Sequence, residues 1–290
     1  MKDYYLLTTD HLENCLWFRD DSDFKVAMNY VAIQVALCPE VNLLSFILMS
    51  NHVHFVLYGT KDDVICFITL FKRRYSAYYR KKHNVKEFLR RNNVDVKPLS
   101  IMDESLERAI AYVQMNCVAA NVCSHPSQYP WGTGNIFFSR TPISGTRLGD
   151  MSTRARRRLL NSNCENLPEY WIIGEDGFIK PQSYVDIKDV EFIFRTPKRL
   201  NYFLNSSSKA KKRLQTVEDN LPAFRDQSIM GTLPDLCRSL FHKHSIEELQ
   251  EDEQIELLRQ IRFRFSADAN QIARVCGISY ARAAYLLDKA

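Results

Sequence analysis

Hydrophobic positions in the first half of the chain alternate between a period of two and a period of three to four, and the changes of rhythm mark out the elements. Residues 2 to 9 and 42 to 49 are apolar runs of the kind that form strands. Ser50-Asn51 supplies turn residues and His52 to Tyr58 resumes the run, so 42 to 58 reads as a hairpin. Between them, Ala27, Tyr30, Val31 and Val35 mark a helix over 23 to 37, which Pro39 ends. A long helix follows over 61 to 83, with Asp62 and Asp63 in its first turn and Arg80, Lys81 and Lys82 in its last, charges that suit the helix dipole. Val94 to Leu99 alternates as a short strand, and Pro98 assigns it to a sheet edge. Asp103 opens a helix to about Ala120, striped by Leu106, Ala109, Ile110, Val113 and Val118. The order predicts an α+β fold, a mainly antiparallel sheet with helices packed on it.

After Tyr129-Pro130-Trp131-Gly132 the texture changes. Residues 139 to 153 collect Gly, Pro, Ser and Thr, which places a boundary near residue 145 and divides the chain into 1–145 and a mostly helical extension, 146–290. The extension holds one strand-prone passage, Tyr170-Trp171-Ile172-Ile173. It ends in a helix-turn-helix pattern near 267–288, with Ala273 small enough for close helix approach, Gly277 at the turn and Ser279 as a cap. A plain helical hairpin explains that pattern equally well.

The chain has 290 residues, 46% of them hydrophobic, enough for a sizeable core. Its beginning is too polar for a secretory signal, and no run approaches the ~20 apolar residues of a membrane span, so a cytoplasmic protein without membrane attachment is expected. The 8 cysteines include no Cys-x-x-Cys pair, which argues for free thiols rather than a zinc knuckle or redox motif. No Walker A loop is present.

The net charge of +5 understates the local charge. Lys72-Arg73-Arg74, Arg80-Lys81-Lys82 and Arg90-Arg91 cluster in one stretch, Arg154-Ala155-Arg156-Arg157-Arg158 in another, and Lys209 to Arg213 in a third. Tyr75, Tyr78 and Tyr79 interleave with the first cluster, and cations with stacking rings are how single-stranded nucleic acid is commonly held. Lys72, Arg73, Arg74, Tyr75, Tyr78, Tyr79 and Arg80 are therefore expected to bind it, with Arg154, Arg156 and Arg157 as further backbone contacts. A solvated helix face is the plainer account of such runs.

His52 and His54 are one residue apart on a strand, so their imidazoles share a face and can meet one metal ion. Tyr112 and Asn116 are four apart on a helix, so a phenol and a carboxamide also share a face. Each pair alone is ordinary: many His-x-His pairs bind nothing, and the chain has 14 tyrosines.

Together, Leu48-Met49-Ser50-Asn51-His52-Val53-His54-Phe55, Tyr112-Val113-Gln114-Met115-Asn116-Cys117-Val118 and Tyr129-Pro130-Trp131 resemble the HUH single-strand nucleases, specifically the REP-associated tyrosine transposases. The resemblance covers roughly residues 1 to 135. Cys117 stands where that family usually has proline, and Ala120-Asn121 departs from its usual small-Gly ending. The resemblance implies a ferredoxin-like or RRM-like sheet with the histidines on a central strand. It also implies a divalent metal, Mg or Mn, held by His52, His54 and Asn116, with Tyr112 as nucleophile.

On this reading the substrate is single-stranded DNA beside a hairpin, cut and rejoined through a 5′-phosphotyrosine as in DNA transposition and recombination at REP elements. Two other readings stay open on the residues: a DNA-hairpin-binding protein derived from a transposase that no longer cleaves, and a metal hydrolase that uses activated water. Tyr75, Tyr78 and Tyr79 are rival nucleophiles. A monomer is compatible with all of these.

Overall fold

The computed structural model describes residues 1–164, 166–207 and 224–289. Strands β1 (Asp3–Thr9), β2 (Asn42–Met49), β3 (His52–Gly59) and β4 (Val94–Leu99) form one antiparallel sheet in the order β2-β3-β1-β4. Helix α1 (Asp21–Leu37) joins β1 to β2, and α2 (Lys61–His83) joins β3 to β4. This is the split βαβ connectivity of ferredoxin-like sheets, and it sets β3 in the interior and β4 at an edge. Local chemistry fixes both helix starts: the Asp20 side chain accepts from the Asp23 amide at 2.9 Å, and Thr60 Oγ1 accepts from the Asp63 amide at 3.2 Å.

Because successive strand residues point to opposite sides, β3 divides its side chains between two layers. Phe55 meets Phe67 and Phe71 of α2 edge-on, with ring centroids 5.6 and 5.5 Å away, so α1 and α2 cover that face. Helix α3 (Ser105–Ala119) lies across the other face, the one that His52 and His54 share. The result is a three-layer α/β/α sandwich.

The outer margin of β2 is strapped by the segment after α3. The Leu48 amide donates to the Trp131 carbonyl at 2.8 Å, the Thr133 amide donates to Phe46 O at 3.1 Å, and Tyr129 Oη donates to Leu48 O at 2.8 Å. Trp131 stacks on Phe24 of α1 with centroids 4.9 Å apart. Gly132 is required here, since a Cβ would sit 2.6 Å from the Phe46 carbonyl oxygen.

Residues beyond 145 do not begin a separate core, which corrects the expected boundary. Leu148, Trp171, Phe178, Val190, Phe194 and Phe203 are buried in the same apolar cluster as the sheet. They come from α4 (Thr153–Leu160) and its flanks, the two-residue strands β5 (Thr146–Arg147) and β6 (Ile172–Ile173), α5 (Ile187–Phe194) and α6 (Pro197–Ser206). The loop-like composition of 139 to 153 marked a surface crossing, not the end of a domain. A second apolar cluster spans 229 to 286. It is built from α7 (Asp226–Phe241), α8 (Glu251–Phe265), α9 (Ala269–Cys276) and α10 (Tyr280–Asp288), the last two being consecutive helices joined by a short turn, an arrangement common to a helix-turn-helix and a plain helical hairpin. Gly277 takes φ +68° at the turn, and Ser279 Oγ accepts from the Arg282 amide at 3.2 Å.

The two clusters join at Asp226, which is almost fully buried. It accepts from Ser50 Oγ at 2.6 Å, Gln271 Nε2 at 2.9 Å and Arg274 Nε at 3.2 Å, tying the β2–β3 turn to α7 and α9. Among the described residues no helix is long and apolar enough to cross a membrane. The eight cysteines are free thiols.

Candidate active site

Strand β3 delivers His52 and His54 to the α3 side of the sheet, both buried, with ring centroids 4.7 Å apart and planes at 85°. Their Nδ1 atoms are held by neighbours in the sheet layer. His52 Nδ1 lies 2.8 Å from Asn51 Oδ1, and His54 Nδ1 lies 2.9 Å from Thr8 Oγ1 on β1. An amide oxygen only accepts, so His52 carries a hydrogen on Nδ1 in this bond. The Thr8 hydroxyl suits either tautomer of His54. Anchoring one ring nitrogen in this way orients the other, as supporting hydrogen bonds do around metal-ligating histidines.

Helix α3 brings Tyr112 to the same place. Its ring meets His54 edge-to-face with centroids 5.4 Å apart. The phenol is half-buried, and burial pushes its pKa up, so it holds its proton at neutral pH until a base takes it. One turn on, Asn116 is buried and its Nδ2 donates to the Tyr112 carbonyl at 2.8 Å and the Val113 carbonyl at 3.3 Å. Both amide hydrogens are engaged, which leaves Oδ1 as the atom Asn116 can offer a cation.

The donor set of two imidazoles and one amide oxygen fits a divalent ion with an incomplete shell, open to phosphate oxygens. It contains no carboxylate, and among the described residues no cluster of three or more His, Cys, Asp or Glu side chains exists that could hold a metal by itself.

A third histidine escaped the sequence reading. The exposed His11 stacks on His52 with centroids 3.8 Å apart and planes within 12°. The loop carrying it is pinned to the hairpin turn, since the Leu12 amide donates to Asn51 O at 2.9 Å and Asn51 Nδ2 donates back to Leu12 O at 3.4 Å. No periodicity marks a loop residue, and only the proximity of the β1 end to the β3 start, fixed by the pairing of Thr8 with His54, points to it.

Tyr112 opens onto a cleft of about 760 Å³. Its floor is Leu6 and Thr8 of β1 with Asp95 and Lys97 of β4; one wall is α3 through Arg108 and Tyr112, and the other is α6. Helix α6 is clamped to α3 by Arg199, whose Nη2 lies 2.8 Å from the buried carboxylate of Glu107.

The expected nucleic-acid residues are arranged differently from the sequence reading. Tyr75 and Tyr79 are 0% and 1% exposed, so neither ring can receive a base. Their hydroxyls donate to the Trp17 and Leu16 carbonyls, and Tyr79 stacks on Phe88 at 3.7 Å. The reason is register: Phe67, Phe71, Tyr75 and Tyr79 recur every fourth residue and form the buried stripe of α2. Tyr78 is half-buried and donates to Asp23 Oδ1 at 3.0 Å. Burial pushes the Tyr78 and Tyr79 phenols up to about 12, and α2 packs on the face opposite His54, which removes this trio as rival nucleophiles.

Lys72 donates to the Asn92 carbonyl and, with Arg73 and Arg80, borders a shallow basic cavity of about 560 Å³ on the outside of α2. Arg74 turns inward instead. Its guanidinium lies 5.7 Å from the Tyr30 ring centroid and shares a cavity of about 630 Å³ with Arg157 of α4, so two basic segments distant in sequence meet there. Arg154 is exposed and Arg156 half-buried on the same short helix. The third basic run, 209 to 213, lies outside the described residues. At α10, Arg282 and Lys289 both pair with Glu251, at 3.0 and 2.9 Å.

No family model, curated protein or solved structure matches this chain.

Proposed function

We propose that the chain is a metal-dependent single-strand DNA nuclease and strand transferase of the transposase kind, with Tyr112 as nucleophile. The observation that carries this is the convergence of three rings from separate elements, His52 and His54 on β3 and Tyr112 on α3, at centroid distances of 4.7 and 5.4 Å. A core built for stability alone would fill this central position with apolar groups, as the opposite face does with Phe55.

His52, His54 and the Asn116 oxygen would hold the cation, and two imidazoles among three ligands favour Mn over Mg. When bound, the ion supplies positive charge that draws a phosphodiester to the site and offsets charge developing on its oxygens. Tyr112 Oη forms a bond to phosphorus as the bond to the departing 3′-oxygen breaks; the phenol gives up a proton and the 3′-oxygen gains one. The phosphodiester is conserved as a 5′-phosphotyrosine, which a 3′-hydroxyl can reverse without ATP. A flexible single strand bends into a cleft between helices and sheet more readily than a duplex does, which makes single-stranded DNA flanked by a hairpin the substrate class.

The test incubates the protein with Mn and end-labelled single strands carrying hairpins, and follows a covalent adduct by denaturing gel and mass. Wild type forms the adduct, chelation of Mn abolishes it, and Tyr112→Phe binds the strands without forming it. Equal cleavage by wild type and Tyr112→Phe would overturn the assigned nucleophile, and cleavage without protein-linked DNA would point to activated water.

A further inference from the structure

The cleft beside Tyr112 has a wall that the catalytic motifs do not supply. Helix α6 lies some way along the chain from the last of those motifs, yet it is fixed with care. Thr196 caps it, its Oγ1 accepting from the Arg199 amide at 3.2 Å; Pro197 starts it; and Arg199 bridges to Glu107 of α3 and to Glu104, which precedes α3, at 2.8 and 3.8 Å. Phe203 and Leu204 are buried against the core. Tyr202 is the exception, 65% exposed and turned into the cleft that Tyr112 lines, with its ring set edge-on to Phe203 at 5.4 Å. An exposed aromatic braced by a buried one on a helix clamped to the nucleophile's helix is a rigid flat surface at a fixed position relative to Tyr112.

The charges of the cleft select the kind of ligand. Lys97 and Arg108 are balanced by Asp95 and Glu104, so the cleft offers little net attraction to a polyanion. Affinity there has to come from contacts other than phosphate neutralisation, and a cleft of about 760 Å³ has room for nucleotide-sized groups. We infer that Tyr202 is a stacking platform for a nucleobase of the strand whose phosphate reaches Tyr112, so that α6 sets which nucleotide lies beside the reacting bond. This inference rests on the nucleic-acid reading of the site.

Binding without metal tests it apart from chemistry. Fluorescence anisotropy of a labelled hairpin-bearing single strand is measured for wild type, Tyr202→Ala and Tyr202→Trp, and repeated with a strand whose unpaired nucleotides are abasic. Tyr202→Ala is expected to weaken binding about tenfold, as loss of one base–aromatic stack does. Tyr202→Trp should keep the affinity, and the abasic strand should bind wild type and Tyr202→Ala alike. The salt dependence of binding should be the same for all three proteins, because no phosphate contact has changed. Unchanged affinity in Tyr202→Ala, or an equal loss on the abasic strand, would overturn the platform. With adduct formation assayed in parallel, an adduct together with an indifferent Tyr202 sinks the platform alone. Tyr202-dependent binding without any adduct supports the platform and sinks the nuclease reading, and absence of single-strand binding sinks both.

Discussion

The two faces of the central sheet are made from one run of strand residues and do different work. Toward α2, Phe55 enters an aromatic layer with Phe67, Phe71, Tyr75 and Trp17, where the Tyr75 hydroxyl is bonded to the Trp17 carbonyl and none of these five rings is exposed. Toward α3, His52 and His54 meet a half-buried phenol at the edge of a cleft. Residues of similar aromatic content thus act as packing on one side and as chemistry on the other. What separates them is access: the Tyr75 ring is closed in the core with its hydroxyl on the Trp17 carbonyl, whereas Tyr112 lines a cleft.

Substitutions on the two faces should therefore fail in different assays. The largest effect is expected for Tyr112→Phe, with adduct formation down by ~10⁴-fold or more, as for removal of a covalent nucleophile, and thermal stability unchanged. Measurable adduct in this variant would break the contrast. Phe55→Ala should cost about 3–5 kcal/mol in denaturant unfolding, the range for emptying a buried aromatic site, while the folded fraction still forms adduct. A smaller effect, about 1–3 kcal/mol, is expected for Gly132→Ala, because its Cβ would displace the Phe46 carbonyl and loosen the strap on β2; since β2 feeds both faces, stability and adduct yield should fall together.

The smallest effect concerns acid. Burial pushes the Asp20 carboxyl up, but hydrogen bonds from Lys82, Ser22 and the Asp23 amide outweigh this and bring it down to about 2. Asp20 therefore contributes stability that is complete above its unfolded value of ~3.9 and is lost as pH falls toward 2. Ser22→Ala, which removes one of these hydrogen bonds, should move the acid-unfolding midpoint, followed by circular dichroism, to slightly higher pH. The shift is small because the Asp20 side chain is half exposed.

Much of the architecture could be read from residue order. The hairpin, the helix over 61 to 83 and the edge strand with Pro98 follow from local periodicity and turn chemistry, which are properties of neighbours in sequence. The pairing of His52 with His54 was legible for the same reason, since strand alternation alone sets it. The burial of Tyr75 and Tyr79 was also legible in principle: their four-residue step from Phe67 and Phe71 is a core stripe, and the nearby cations drew the reading outward. What could not be read was tertiary. His11 reaches His52 from a loop, and the α6 wall comes from far beyond the motifs; only long-range packing, through Arg199 and Glu107, brings it to the cleft. The single core across residue 145 was hidden because a surface crossing and a linker have the same composition.

The strap of residues 129 to 133 also decides how the sheet behaves toward other molecules. Along β2 its hydrogen bonds occupy backbone groups of Phe46 and Leu48 that would otherwise face outward, and at the far margin β4 presents the charges of Asp95 and Lys97 and, at Pro98, a position with no amide hydrogen. Neither rim offers an unbroken ladder for a foreign strand, so a protein that keeps a cleft open on one face is guarded against the sideways accretion that leads to aggregates.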